Sequence, residues 1–189
     1  FGGWEQYEFP RDASKPDNLY AAQTAALIIT KNGTLLLGGY YGVLHFRGVL
    51  DKPDSLKDVQ NWKLAPGIPK EGNYKVRTIA EDPRTGEIFA GGWGGQTNGG
   101  FKDTKEGLGL WSSRDGGESF QPHGFNDKMR DERGRLNTNV INITYVGDKR
   151  VMLIGTEGGG HGRVPGDRPY DPNYRSFFIS RSIQKSTGN

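Results

Sequence analysis

One stretch of the chain, GGGHGRVPGDRPYDPNYR at 158–175, unites an imidazole, arginines, carboxylates and a phenol. His161 or Tyr170 could serve as a general base there, with Arg163 neutralising an acidic substrate and Asp167 supplying a carboxylate, the ingredients of a lyase or a two-carboxylate hydrolase. Arg168, Asp171 and Arg175 add groups suited to an anionic sugar. The plainer reading is that Pro165, Pro169 and Pro172 stiffen a solvated loop whose charges pair with one another. A second polar segment, HGFNDKMRDERGRLNTN at 123–139, carries Arg130, Arg133 and Arg135, then Asn137 and Asn139. Guanidinium forks suit carboxylate or sulfate, and amides suit sugar hydroxyls, although MRDERGR also reads as an alternating-sign turn. Trp93 and Gln96, in and beside GGQTNGGFKDTKEG at 94–107, complete a candidate ligand-binding set of Arg130, Arg133, Arg168, Asn137, Trp93 and Gln96. The faces of Trp93, Tyr40 and Tyr41 could stack on sugar rings or fill the wedge between sheets.

Other chemistries find little support. The chain has no cysteine, which removes disulfides, thiolate zinc sites and thiol nucleophiles together. His45 and His123 have no companion at metal-ligand spacing and read as structural, so neither a metal nor a cofactor is expected. GGGHG does not bridge a strand to a helix as a phosphate loop would, and DKPDSLKD lacks the calcium-loop order. A net charge of +3, with no dense Lys/Arg run among aromatics, argues against nucleic acid. No apolar run approaches the ~20 residues of a membrane-spanning helix. The Asn32 and Asn142 sequons are no more than chance supplies, and Asn142 falls in an expected strand.

The elements that must position these residues are β-strands. Thirty glycines in 189 residues, without collagen periodicity, favour a turn-rich all-β chain. Three segments share one order of features: AALIITKNGTLLLGGYYGVLHF from Ala25, VRTIAEDPRTGEIFAGGWGG from Val76 and VINITYVGDKRVMLIGTEGGG from Val140. Each offers an apolar strand, a glycine turn, a second strand and a glycine cluster. The first cluster glycine falls at Gly38, Gly91 and Gly155, so the repeats are about 53 and 64 residues apart. Third strands are expected at VLHF, GLWSS and SFFIS, and fourth strands at NWKLA and SFQPH.

Between GLWSS and SFQPH lies SRDGGESF, where Ser113, Asp115, Gly117, Ser119 and Phe120 fit Ser-x-Asp-x-Gly-x-Ser/Thr-aromatic. Asp115 before two glycines predicts a carboxylate that braces a tight hairpin by accepting backbone N–H bonds. The octet resembles the Asp-box of bacterial neuraminidase repeats, found in sialidase-like and sortilin-like propellers. The resemblance implies an all-β propeller of four-stranded antiparallel blades, with Ser113, Asp115, Gly117 and Phe120 structural and the ligand side on the opposite loops. It divides 1–189 into a leading strand and loop at 1–20, blade one at 21–70, blade two at 71–125, and blade three at 126–189 lacking its last strand. Closure takes about four to eight blades, so a second chain or second copy is expected to complete the ring, the alternative being that the 189 residues are a piece of a longer propeller completed by another chain.

The chain begins at Phe1 rather than Met, which predicts removal of a signal segment and a secreted or periplasmic location. Three functions fit: a module binding a glycan or protein through its long loops, a polysaccharide-active enzyme using the His161/Tyr170/arginine loop, or an assembly factor. Sialidase activity is disfavoured, because the arginine triad and the Phe/Tyr-Arg-Ile-Pro segment cannot be assembled; EFPRD at 8–12 lacks its order.

Overall fold

A computed structural model describes residues 25–39, 42–69, 74–93, 108–130, 138–146, 151–158 and 177–181. These residues are mostly strand. The first sheet runs β1 (Ala26–Ile29), β2 (Leu35–Gly39), β3 (Gly42–Phe46) and β4 (Trp62–Leu64). The second runs β5 (Lys75–Glu81), β6 (Ile88–Trp93), β7 (Leu110–Ser113) and β8 (Gln121–Pro122). The third contains β9 (Thr138–Val146), β10 (Val151–Gly158) and β11 (Phe177–Arg181). Neighbours in sequence are neighbours in each sheet, and every pairing is antiparallel.

The local turns follow from side chains that can replace strand hydrogen bonds. Between β1 and β2, Thr30 Oγ1 accepts from the Thr34 N–H at 3.0 Å, and the Gly33 N–H donates to the Thr30 carbonyl at 2.8 Å. Between β5 and β6, Asp82 Oδ1 accepts from the Arg84 N–H at 2.9 Å, while the Gly86 N–H reaches the Asp82 carbonyl at 2.9 Å. The segment RGVLDKPDSLKDVQNW, which joins β3 to β4, forms a five-residue helix α1 (Pro53–Lys57) and a 3-10 turn at Val59–Asn61. Proline in its first turn, Asp54 near its start and Lys57 near its end suit a short helix. Its purpose is coverage. Leu50, Leu56, Trp62 and Leu64 pack over Leu35, Leu37, Leu44 and Phe46 on the outer face of the first sheet.

The three sheets stack face to face. One apolar layer joins the first to the second, with Leu36 and Val43 against Val76, Ile79, Ile88 and Trp111. Another joins the second to the third, with Phe89 and Leu110 against Val140, Ile143, Met152 and Ile154. Burying each such side chain stabilises by about 1.5–3 kcal/mol. The stack is open: the first and third sheets do not meet among the described residues.

The repeated glycines set the spacing of the stack. A Cβ on Gly38 would lie 2.7 Å from Val76 Cγ1, and one on Gly91 would lie 2.5 Å from Val140 Cγ1 and 2.9 Å from the Val140 carbonyl oxygen. Each is the point where the second strand of one sheet meets the first strand of the next. Polar groups bridge the same junctions: Thr78 Oγ1 accepts from the Ile143 N–H at 3.1 Å, and Glu81 accepts from the Lys31 N–H at 2.6 Å. Gly155 differs, because among the described residues its Cβ would meet only Asn142 of its own sheet, at 3.4 Å. Gly38→Ala and Gly91→Ala are therefore expected to destabilise by about 1–3 kcal/mol through overpacking, and Gly155→Ala to change stability by no more than about 0.5 kcal/mol. Chemical denaturation of the three variants checks this; equal losses would show that the glycines do not mark the junctions.

Candidate functional site

Most of the residues read from the sequence as catalytic or ligand-binding, namely His161, Arg163, Asp167, Arg168, Tyr170, Gln96, Arg133 and Asn137, lie outside the described residues. So do Tyr40 and Tyr41. Trp93 ends β6, with its backbone opposite Lys75. Arg130 follows a 3-10 helix at Gly124–Met129, is exposed, and donates from Nε to Asp127 Oδ1 at 3.4 Å. That local pair is the arrangement expected of an alternating-sign turn.

The attachment points of the long connections are nevertheless defined. Lys75 lies opposite Trp93, and Thr138 opposite Gly158, so segments 94–107, 131–137 and 159–176 all join the sheets at one end. Ile88 lies opposite Ser113, which puts the SRDGGESF turn at the other end.

That turn is the best-defined polar site. The Ser113 hydroxyl donates to Asp115 Oδ1 at 2.6 Å and accepts from the Gly117 N–H at 2.9 Å. Ser119 closes the loop, its N–H donating to Asp115 Oδ1 at 3.0 Å and its hydroxyl to Oδ2 at 2.5 Å. Gly116 and Gly117 take φ of +76° and +94°, where a side chain is strained. Burial alone would raise the Asp115 pKa, but the hydrogen bonds from Ser113 and Ser119 outweigh it and hold the carboxyl at about 2. A carboxylate held ionised with both oxygens occupied is a poor general acid or base near neutral pH.

The turn also grips the first sheet. A Cβ on Gly117 would lie 2.8 Å from Leu36, Phe120 is buried, and the Phe120 N–H donates to the Pro66 carbonyl at 2.9 Å. Glu118 pairs with Arg47 and stands 3.5 Å from His45 Nε2. Burial lowers the His45 pKa and outweighs the opposing pull of Glu118, keeping the imidazole neutral near pH 7. Its Nδ1 is buried without a hydrogen-bond partner.

Beside the turn lies a cavity of about 410 Å³, lined by Ser112, Arg114, Asp115, Ser119, Gln121 and His123 among others. Its chemistry is already committed: Arg114 donates to Glu87 at 3.1 Å, and His123 Nδ1 accepts from the Phe125 N–H at 3.1 Å. Burial, with Glu87 opposing and Arg114 assisting, also lowers the His123 pKa. Among the described residues no three His, Asp or Glu side chains gather as a metal site would require. None of the described helices is long and apolar enough to cross a membrane.

One structural residue escaped sequence reasoning. Asn126 is buried and pairs with the Leu110 backbone twice, accepting from its N–H at 2.8 Å and donating to its carbonyl at 2.9 Å. The amide acts as one more strand residue against β7. HGFND carries no signal of this, because the partner lies 16 residues earlier.

Compared with models of known protein families and with curated proteins, the chain matches none of them.

Two outcomes follow from this geometry. Asp115→Ala is expected to cost about 2 kcal/mol at neutral pH, a drop of roughly 4–8 °C in Tm. The folded-state pKa lies below the ordinary 3.8, so the contribution is complete above 3.8 and fades as pH falls toward about 2. Thermal melts across that window should converge for wild type and variant; a constant gap would separate Asp115 from acid sensitivity. Asn126→Ala leaves the Leu110 N–H buried and unpaired, while the Leu110 carbonyl keeps the His123 N–H at 2.9 Å, for an expected loss of about 1–3 kcal/mol, read by urea titration against Asn126→Asp, which keeps the acceptor.

Proposed function

We propose that the chain is a non-catalytic binding module of the neuraminidase-repeat type, forming part of a β-propeller outside the cytoplasm. It takes a glycan or protein partner on the end of the sheets that carries its long connections. One observation carries this reading: segments 94–107, 131–137 and 159–176 attach at one end, whereas the self-satisfied SRDGGESF turn occupies the other. Long connections on a rigid sheet scaffold are a common seat of recognition. The arginines of the two later segments, Arg133, Arg163 and Arg168, suit a carboxylate- or sulfate-bearing ligand. In the same reading the sheets are blades, SRDGGESF is an Asp-box, and a second chain or second copy supplies the rest of the ring.

The test is a binding screen of uronic-acid-containing and neutral glycans, with product formation followed in the same wells. Saturable binding of acidic glycans without cleavage is expected, weakened about tenfold, or about 1.4 kcal/mol, by Arg133→Ala or Arg168→Ala. Arg114→Ala, at the opposite end, should leave binding unchanged. Cleavage products would make the chain an enzyme, and binding abolished equally by Arg114→Ala would move the site to the other end.

A further inference from the structure

Both internal sheet junctions use equivalent positions. Leu37, Ala90 and Ile154 immediately precede Gly38, Gly91 and Gly155, and their cross-strand partners on the first strands are Leu27, Ile79 and Ile143. Ile79 and Ile143 are only 7% and 6% exposed, because each is packed into the layer shared with the preceding sheet. Among the described residues no sheet precedes the first, and Leu27 is 60% exposed; Ile29, on the same face, is 61% exposed. Leu27 is thus exposed where both its equivalents are buried, and Ile29 extends the same exposed aliphatic face along the strand.

The third sheet shows the complementary deficit. Gly38 and Gly91 each receive a valine from the next sheet, whereas among the described residues the nearest atoms to the space above Gly155 all belong to Asn142 of its own sheet, at 3.4–3.9 Å. Asn142 stands opposite Gly155, in the register position that Thr78 holds opposite Gly91. Thr78 uses that position to accept a backbone N–H from the next sheet, while Asn142 is exposed. An open glycine recess and an exposed amide therefore lie at one end of the stack, and an uncovered apolar strand face at the other.

Building on the reading that a second copy completes the ring, we propose that these faces form a head-to-tail junction between two copies of this chain. The Gly155/Asn142 face of one copy receives the Leu27/Ile29 face of the other, continuing the glycine-to-first-strand contact used twice within the chain. Each face lacks what the other supplies, and one sequence carries both. Such a heterologous contact closes into a ring when the rotation permits and otherwise extends as a filament.

Light scattering on the size-fractionated full chain tests the junction. Wild type is expected to be multimeric, and L27E/I29E or G155L to be monomeric with unchanged far-UV circular dichroism. The milder L27S/I29T pair serves if the acidic variant loses its fold. Mixing L27E/I29E with G155L should restore a heterodimer, because one intact face remains on each variant. A monomeric wild type would overturn both the junction and completion by a second copy, leaving ligand binding to be judged by its own screen. A multimer that survives both variants would overturn these faces but not completion by a copy. Failure of the mixed variants to associate would overturn the head-to-tail arrangement.

Discussion

Close backbone approach at Gly38 and Gly91 is the constraint on which the stack depends. Twisted sheets pack through side chains roughly 10 Å apart, and a valine can enter the next sheet's surface only where that surface lacks a Cβ. Val76 above Gly38 and Val140 above Gly91 meet this condition, with Cβ space of 2.7 and 2.5 Å that no alanine could occupy without movement. The apolar layers on either side of the second sheet then close around those points. Thr78 satisfies the buried Ile143 N–H that the approach would otherwise strand, and Glu81 adds an exposed bond to the Lys31 N–H at the other junction.

The SRDGGESF turn adds a second level of constraint. Its inner hydrogen bonds make the hairpin rigid, and that rigidity is used outward, through Gly117 on Leu36, Phe120 on Pro66 and Glu118 on Arg47. The turn belongs to the second sheet, yet all three contacts fall on the first sheet or the loop that follows it. Asp115 thus contributes to packing between sheets through a bond network that is entirely local. The same hydrogen bonds hold the carboxyl ionised at about 2, which makes it a poor proton carrier near neutral pH.

Much of the strand pattern was legible in residue order. Apolar runs broken by Lys-Asn-Gly-Thr, Arg-Thr-Gly-Glu and Gly-Asp-Lys define the hairpins, and VLHF, GLWSS, NWKLA and SFQPH lie at β3, β7, β4 and β8. Such features are local: alternation selects a strand, and a glycine or an Asx side chain selects a turn. The helix at Pro53–Lys57 was not expected, because five residues carry too little periodicity and its reason is the apolar face it covers. Asn126 was invisible for a related reason, since its partner is a backbone group brought near by the third strand of its sheet. The residues richest in chemistry, around His161 and Arg133, belong to long connections whose attachment ends alone are defined.

By itself, then, the sequence determined the strands, their antiparallel order and the bonded form of the SRDGGESF turn, because each depends on neighbours within a few residues or on a short hairpin. Tertiary structure decided which glycines are points of contact. Gly38, Gly91 and Gly155 occupy the same place in three similar segments, but a missing Cβ has physical consequence only when another sheet fills its space. Valines do so at the first two, and among the described residues Asn142 of the same sheet is what stands near the third.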